Sequence, residues 1–269
     1  DGFYSIQDIE RRSQVSETVL SPRITVLFDI TEDLQFRGGY ARGFRAPQAF
    51  NEDLHISSVG GEQRFAILSD DLESEFSNAY TASLNFTKDF NKTQTALLIE
   101  GFYTTLQNPF TLVSTGASLP NGAILDESRN GSGAYVAGTN IELTVSPNQD
   151  LYFQAGMTFQ KSIYKEDQVL FESDGTVSGE RDVIVSEFTR SPNLYGFLNA
   201  NWVMREAFKL DITASYTGSM IAPHVISDSG FMLLEKTPDF VDITPKLTYH
   251  LDVKDTFHVE LSTGVQNVF

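Results

Sequence analysis

Alternation with a period of two runs through much of this chain and narrows what it can fold into. From Phe208, the residues Phe208, Leu210, Ile212, Ala214 and Tyr216 interleave with Lys209, Asp211, Thr213, Ser215 and Thr217. Leu151 to Gln160 repeats the pattern, and so does Tyr249 to Val253. Successive side chains of an extended strand point to opposite faces, so each segment presents one apolar and one polar face. Helical three-four spacing is not sustained anywhere. The chain reads as all-β.

Residues facing each other across an antiparallel pair share one face of the sheet, and this fixes the parity of each turn. Around Thr31-Glu32-Asp33 it pairs Ile30 with Leu34 and Phe28 with Phe36. Around Arg205-Glu206-Ala207 it pairs Met204 with Phe208 and Trp202 with Leu210. Around Lys254-Asp255-Thr256 it pairs Val253 with Phe257, Leu251 with Val259 and Tyr249 with Leu261. Ser146 to Asp150 and Lys88 to Lys92 serve as slightly longer turns. Five hairpins, and so about ten strands, follow. Between them lie the connections 48–75, 105–133, 163–191 and 221–238, far longer than the roughly four to six residues of compact domains. Short and long connections alternate strictly. An up-and-down meander then collects every short turn at one end and every long loop at the other, the asymmetry of transmembrane β-barrels with short periplasmic turns and long extracellular loops. Strands of ten or more residues point the same way.

Composition removes the main alternatives. No cysteine means no disulfide framework, no thiolate metal site and no thiol nucleophile. A net charge of −17, from 36 acidic and 19 basic residues, argues against nucleic acid as a partner. Mean hydropathy is −0.18, and no stretch approaches the roughly 18 apolar residues of a membrane-spanning helix. A barrel escapes that test, because its lipid-facing residues are hidden in alternation. Residue 1 is Asp, with no charged and apolar leader before the first strand, so the chain is expected to be mature or a fragment.

The most specific local stretch runs from Phe36-Arg37-Gly38-Gly39-Tyr40-Ala41-Arg42-Gly43 through Phe44-Arg45-Ala46-Pro47 to Asp53-Leu54-His55. It resembles the barrel of TonB-dependent outer-membrane receptors, where a Gly-Phe-Arg-Ala-Pro strand end precedes an acidic-Leu pair. Leu20-Ser21-Pro22-Arg23-Ile24 and Gly264-Val265-Gln266-Asn267-Val268-Phe269 fit the same family. The resemblance implies an outer-membrane receptor for TonB-energised uptake of a scarce ligand, a ferric siderophore or cobalamin, with haem or glycans in some branches. Its implied partners are outer-membrane lipid, a plug domain of the same parent chain, TonB acting through that plug, and a small metal chelate. Family barrels have about 22 strands. The expectation is therefore that residues 1–269 are a partial barrel domain, about ten strands of the larger barrel, without the plug and the final strands.

Individual residues give less. Arg37, Arg42 and Arg45 read as lumenal ion pairs and plug contacts, with anion binding as the sharper alternative. Of the four histidines, His250 is expected opposite Glu260 and His258 opposite Asp252 on the polar face. His55 and His224 lie in or beside long loops and, with Arg45, are the candidate ligand contacts. Loops 48–75 and 163–191 carry seven acids each. These solvate the outward surface or line a vestibule for cationic or metal-bearing ligands, but lack the fixed spacing of a calcium loop. No catalytic residue, metal site or resident cofactor is nominated. The rival from another class is a closed ten-stranded barrel acting as a surface hydrolase. It rests on Asp70-Asp71, whose acidic pair near a histidine resembles that of omptin outer-membrane proteases. A soluble carbohydrate-binding sandwich would need shorter strands and a clustered aromatic platform.

Overall fold

The computed structural model describes residues 2–6, 9–13, 18–47, 64–118, 124–171, 173, 181–205, 207–225, 232–254 and 257–267. The first strands are β1 (Gly2–Ile6), β2 (Ile9–Ser13), β3 (Arg23–Asp29), β4 (Leu34–Arg45), β5 (Arg64–Leu68) and β6 (Glu75–Phe90). Then come β7 (Thr93–Gln107), β8 (Phe110–Ser118), β9 (Ile124–Asn130), β10 (Ala134–Asn148), β11 (Leu151–Phe171) and β12 (Val183–Glu187). The last are β13 (Leu194–Arg205), β14 (Phe208–Thr217), β15 (Ile221–Val225), β16 (Met232–Lys236), β17 (Phe240–Lys254) and β18 (Phe257–Gly264).

Ten of these form one antiparallel meander in the order β3-β4-β6-β7-β10-β11-β13-β14-β17-β18, with β12 added beside the upper part of β11. The five hairpins are those the parity argument requires: β3–β4, β6–β7, β10–β11, β13–β14 and β17–β18. Phe28 faces Phe36, Trp202 faces Leu210, and Leu251 faces Val259. Two expected pairs differ at the turns. Arg205, not Met204, faces Phe208, and Lys254, not Val253, faces Phe257, each after a register shift. A bulge of this kind shortens the turn by one residue while leaving the strand faces unchanged. The β6–β7 turn is also tighter than expected, because Phe90 already faces Thr93 and Asn91 takes φ 57°. Asparagine tolerates that left-handed conformation better than most residues.

Register carries the two faces across the whole sheet. One row runs Phe36, Leu84, Ile99, Ile141, Met157, Gly196, Tyr216 and Val241. The neighbouring row on the opposite face runs Arg37, Ser83, Glu100, Asn140, Thr158 and Tyr195. On the apolar face Phe28, Leu84, Met157 and Leu198 are exposed. Among the described residues the buried apolar side chains are only Ile67, Ala134, Val183 and Val185. A sheet that exposes its apolar face and pairs its polar one fits a wall between lipid and an aqueous lumen. Aromatic pairs flank the apolar band, with Tyr40–Tyr80 and Tyr103–Tyr135 centroids 5.1 and 5.9 Å apart towards the long loops. Phe208–Tyr249, at 4.8 Å, lies towards the short turns. No helix among the described residues is long and apolar enough to cross a membrane.

Strand length settles where the loops start. A crossing needs about 9–11 residues at a steep tilt, while β6 has 16 residues and β11 has 21. The surplus extends beyond the bilayer at the loop end. Among the described residues, β3 and β18 each pair on one side only, so the meander is an open wall rather than a closed barrel.

Candidate functional site at the loop end of the wall

Two ordered modules rise from the loop end. The first joins the connections after β4 and β7. There β5 pairs parallel with β9, and β9 pairs antiparallel with β8, giving a three-stranded sheet separate from the wall. Asn130 ties it to the strands below. Its Oδ1 accepts from the Glu73 amide at 2.7 Å, while its Nδ2 donates to the carbonyls of Glu73 and Asn108, both at 2.9 Å. The Asn108 side-chain amide donates to Glu73 Oε2 at 2.9 Å, from a backbone held at φ 53°. The Ser69 amide donates to the Ser128 carbonyl at 2.9 Å. Asp126, on β9 opposite Ala66, is 2% exposed, and Ile67, on β5 opposite Glu127, is also buried, on the other face of this small sheet.

Arg45 stands where β4 enters this module. It faces Glu75 across the β4–β6 pair, and its guanidinium carbon lies 5.3 Å from the Phe110 ring centroid. Glu75 Oε2 accepts from the Phe110 amide at 3.2 Å. A carboxylate, an aromatic face and a guanidinium thus meet at one corner of the mouth, an arrangement suited to a polar ligand with an anionic or aromatic group.

The second module stands over the other half of the wall. β12 extends alongside β11, burying Val183 and Val185, and the Tyr164 and Phe188 rings pack 4.5 Å apart. Burial there pushes the Tyr164 hydroxyl above the usual phenol range. β15 and β16 form their own hairpin, tied down by Met220 N donating to Thr237 Oγ1 at 3.1 Å and by Asp239, which accepts from Ser219 N at 2.8 Å. His224 is exposed on β15, opposite Leu233.

The candidate ligand residues are therefore not gathered into one cluster. Arg45 belongs to the first module, His224 to the second, and His55 lies outside the described residues. The three arginines also part company. Arg37 and Arg45 share the polar, lumenal face, whereas Arg42 alternates to the outward face, its guanidinium 4.6 Å from the Phe76 centroid. The expectation that all three are lumenal is corrected by strand parity. His250 and His258 behave as expected. His250 Nδ1 lies 3.0 Å from Glu260 Oε1, and His258 pairs with Asp252, both at the short-turn end. Asp70 and Asp71 sit in the turn after β5, at the opposite end from those two histidines. Sequence patterning does not nominate Asn108 or Asn130, although the Asn108-Pro109 and Asn130-Gly131 dipeptides are turn signals, and it counts Glu73 only among the seven acids of loop 48–75.

The lumenal wall below carries a ladder of polar pairs. Asn140 donates to Glu100 Oε1 at 3.1 Å and accepts from Thr158 Oγ1 at 2.8 Å, and Gln154 donates to Glu142 Oε1 at 2.7 Å. Lys209 meets Asp211 at 3.0 Å. Among the described residues, no three His, Asp or Glu side chains come together as a metal site.

A polar-lined wall with ordered loops at one end has counterparts among known proteins. The family model described as TonB dependent receptor-like, beta-barrel, matches residues 3–268. The chain belongs to this family. Membership places the receptor barrel in the outer membrane, and the family is one of receptors rather than enzymes. That leaves the closed hydrolase barrel without support, and among the described residues β3 and β18 do not pair with each other. No curated protein matches. Solved structures do. The chain aligns with the ferric enterobactin receptor of Pseudomonas aeruginosa at TM-score 0.61 and 18% identity, over 92% of this chain and 34% of that one. The siderophore receptor PirA of the same species gives 0.62 and 14%, over 93% and 38%. The FrpB iron transporter of Neisseria meningitidis gives 0.61 and 14%, over 93% and 34%. The receptor barrel described here thus spans about a third of the length of these similar structures.

Proposed function

We propose that this chain forms part of the wall and mouth of a receptor that captures a ferric siderophore or similar metal chelate outside the cell and passes it inward. A plug domain in the lumen and TonB acting through it would supply the gate and the energy. The observation that carries this reading is the pair of hydrogen-bonded modules raised on overlong strands at one end, above a polar lumenal wall. Loops serving only to connect strands would not need a shared sheet or a buried Asp126. The similar solved structures favour iron chelates over cobalamin as the ligand class. In this reading Arg45 and His224 contact ligand from opposite sides of the mouth, and His55 joins them from the loop 48–75.

Uptake of 55Fe-loaded catecholate and hydroxamate siderophores by cells making the membrane-inserted receptor tests this. Deleting residues 48–63 should abolish uptake while leaving outer-membrane insertion intact, and unchanged uptake of every chelate overturns the reading. Arg45→Ala is expected to weaken ligand binding about tenfold, the scale of one charge-assisted hydrogen bond.

A further inference from the structure

Asn130, the last residue of β9, and Gly131 after it form the dipeptide in which an asparagine most readily loses its side-chain amide. Glycine has no side chain to keep its backbone nitrogen from reaching the asparagine Cγ. Packing calls for both residues. A Cβ at Gly131 would come within 2.8 Å of Thr111 Cγ2 and 3.5 Å of the Pro109 carbonyl oxygen. At position 130 one side chain must accept from the Glu73 amide and donate to the carbonyls of Glu73 and Asn108, and a carboxamide does both. The mouth therefore rests on a labile pair at a point where the three-stranded sheet is tied to the strands below.

The same contacts hold the reaction off. Ring closure requires the Gly131 nitrogen, stripped of its proton by hydroxide, to attack Asn130 Cγ. Here the Gly131 N–H donates to the Pro109 carbonyl at 2.7 Å. The three hydrogen bonds of the Asn130 side chain must break before its Cγ turns towards that nitrogen. Asn108 braces the arrangement from the other side, its side-chain amide donating to Glu73 Oε2 at 2.9 Å. Asn130 and Gly131 are both half-buried.

We infer that Asn130 is a deamidation site gated by opening of the mouth module, and that its modification unties that module irreversibly. A bond forms between Gly131 N and Asn130 Cγ, the bond from Cγ to Nδ2 breaks, and Nδ2 leaves as ammonia with a proton taken from water, which returns the hydroxide. Water then opens the succinimide at either carbonyl, giving aspartate or isoaspartate. Aspartate puts a carboxylate where the amide stood. It has no N–H for the Glu73 and Asn108 carbonyls and sets an anionic oxygen against them. Isoaspartate routes the main chain through Cβ and Cγ, one carbon longer, and leaves no side-chain amide either. The module thus keeps a one-way chemical record of the time it has stood open, whichever ligand the receptor transports.

Incubation of the membrane-inserted receptor at mildly alkaline pH, followed by peptide mass spectrometry, tests this against the same chain unfolded in urea. The peptides resolve Asn130 from the chain's other Asn-Gly pair, Asn121-Gly122, which lies outside the described residues. Deamidation at Asn130 should be roughly a hundredfold slower in the inserted receptor, because the three hydrogen bonds must open first. Asn108→Gly, which accommodates the φ of 53° but removes the brace, should raise the rate in the inserted receptor about tenfold. Asn130→Asp should speed protease cleavage between β4 and β6 with the receptor still inserted. Should that variant fail to insert, the aged unmutated receptor gives the same comparison, because modified chains should then be concentrated in the cleaved fraction. Equal deamidation rates in the inserted and unfolded chains overturn the gating. Modified chains that are cleaved no faster than unmodified ones overturn the untying.

Discussion

Gly156 lies where a side chain has no room. A Cβ there would come within 2.4 Å of Phe197 Cε1, on the residue it faces across β11 and β13. The Phe197 ring covers the glycine backbone on the lumenal face, filling a gap with a rigid aromatic side chain. Gly156→Ala is expected to push the ring aside and cost about 1–3 kcal/mol, read as a lower denaturant midpoint in detergent micelles. No change in midpoint would mean that the ring moves freely. Parity at this scale is readable from sequence where the turn length is known. That is why the His250–Glu260 and His258–Asp252 pairs are legible. The arginines mislead for the opposite reason. Their motif groups Arg37, Arg42 and Arg45 together, although an odd, even, odd numbering on one continuous strand already separates Arg42 from the other two.

Elements divide into those held by local pairing and those held across distance. The five hairpins of the meander join neighbours in sequence, and their turn lengths and alternation are enough to specify them. The β5–β9 pair joins strands separated by two full crossings of the wall, and nothing in either short segment marks its partner. Its stability depends on a few tethers, of which Asn130 is the most connected. Asn130→Ala removes three hydrogen bonds and leaves the Glu73 amide without its side-chain acceptor. Because the site is partly solvated, a cost of about 1–2 kcal/mol is expected. It should appear as faster protease cleavage between β4 and β6 in the inserted protein, with the wall strands still protected. Equal cleavage rates would show that the three-stranded sheet holds without this residue.

The molecule as a whole is a wall with two open edges. β3 and β18 expose unpaired backbone groups along their outer sides among the described residues, and such edges template further pairing. Produced alone in detergent, the 269-residue chain is expected to associate through them and to elute as oligomers by size-exclusion with light scattering. A monodisperse monomer would require the two edges to find each other. The three-stranded sheet at the mouth has a further consequence, for recognition from outside the cell. Because β5 and β8–β9 come from two loops separated by a full hairpin, the surface they offer to an antibody or a phage tail fibre is a composite epitope. Neither loop taken as a linear peptide reproduces it, and a substitution that escapes recognition in one loop alters the scaffold of the other.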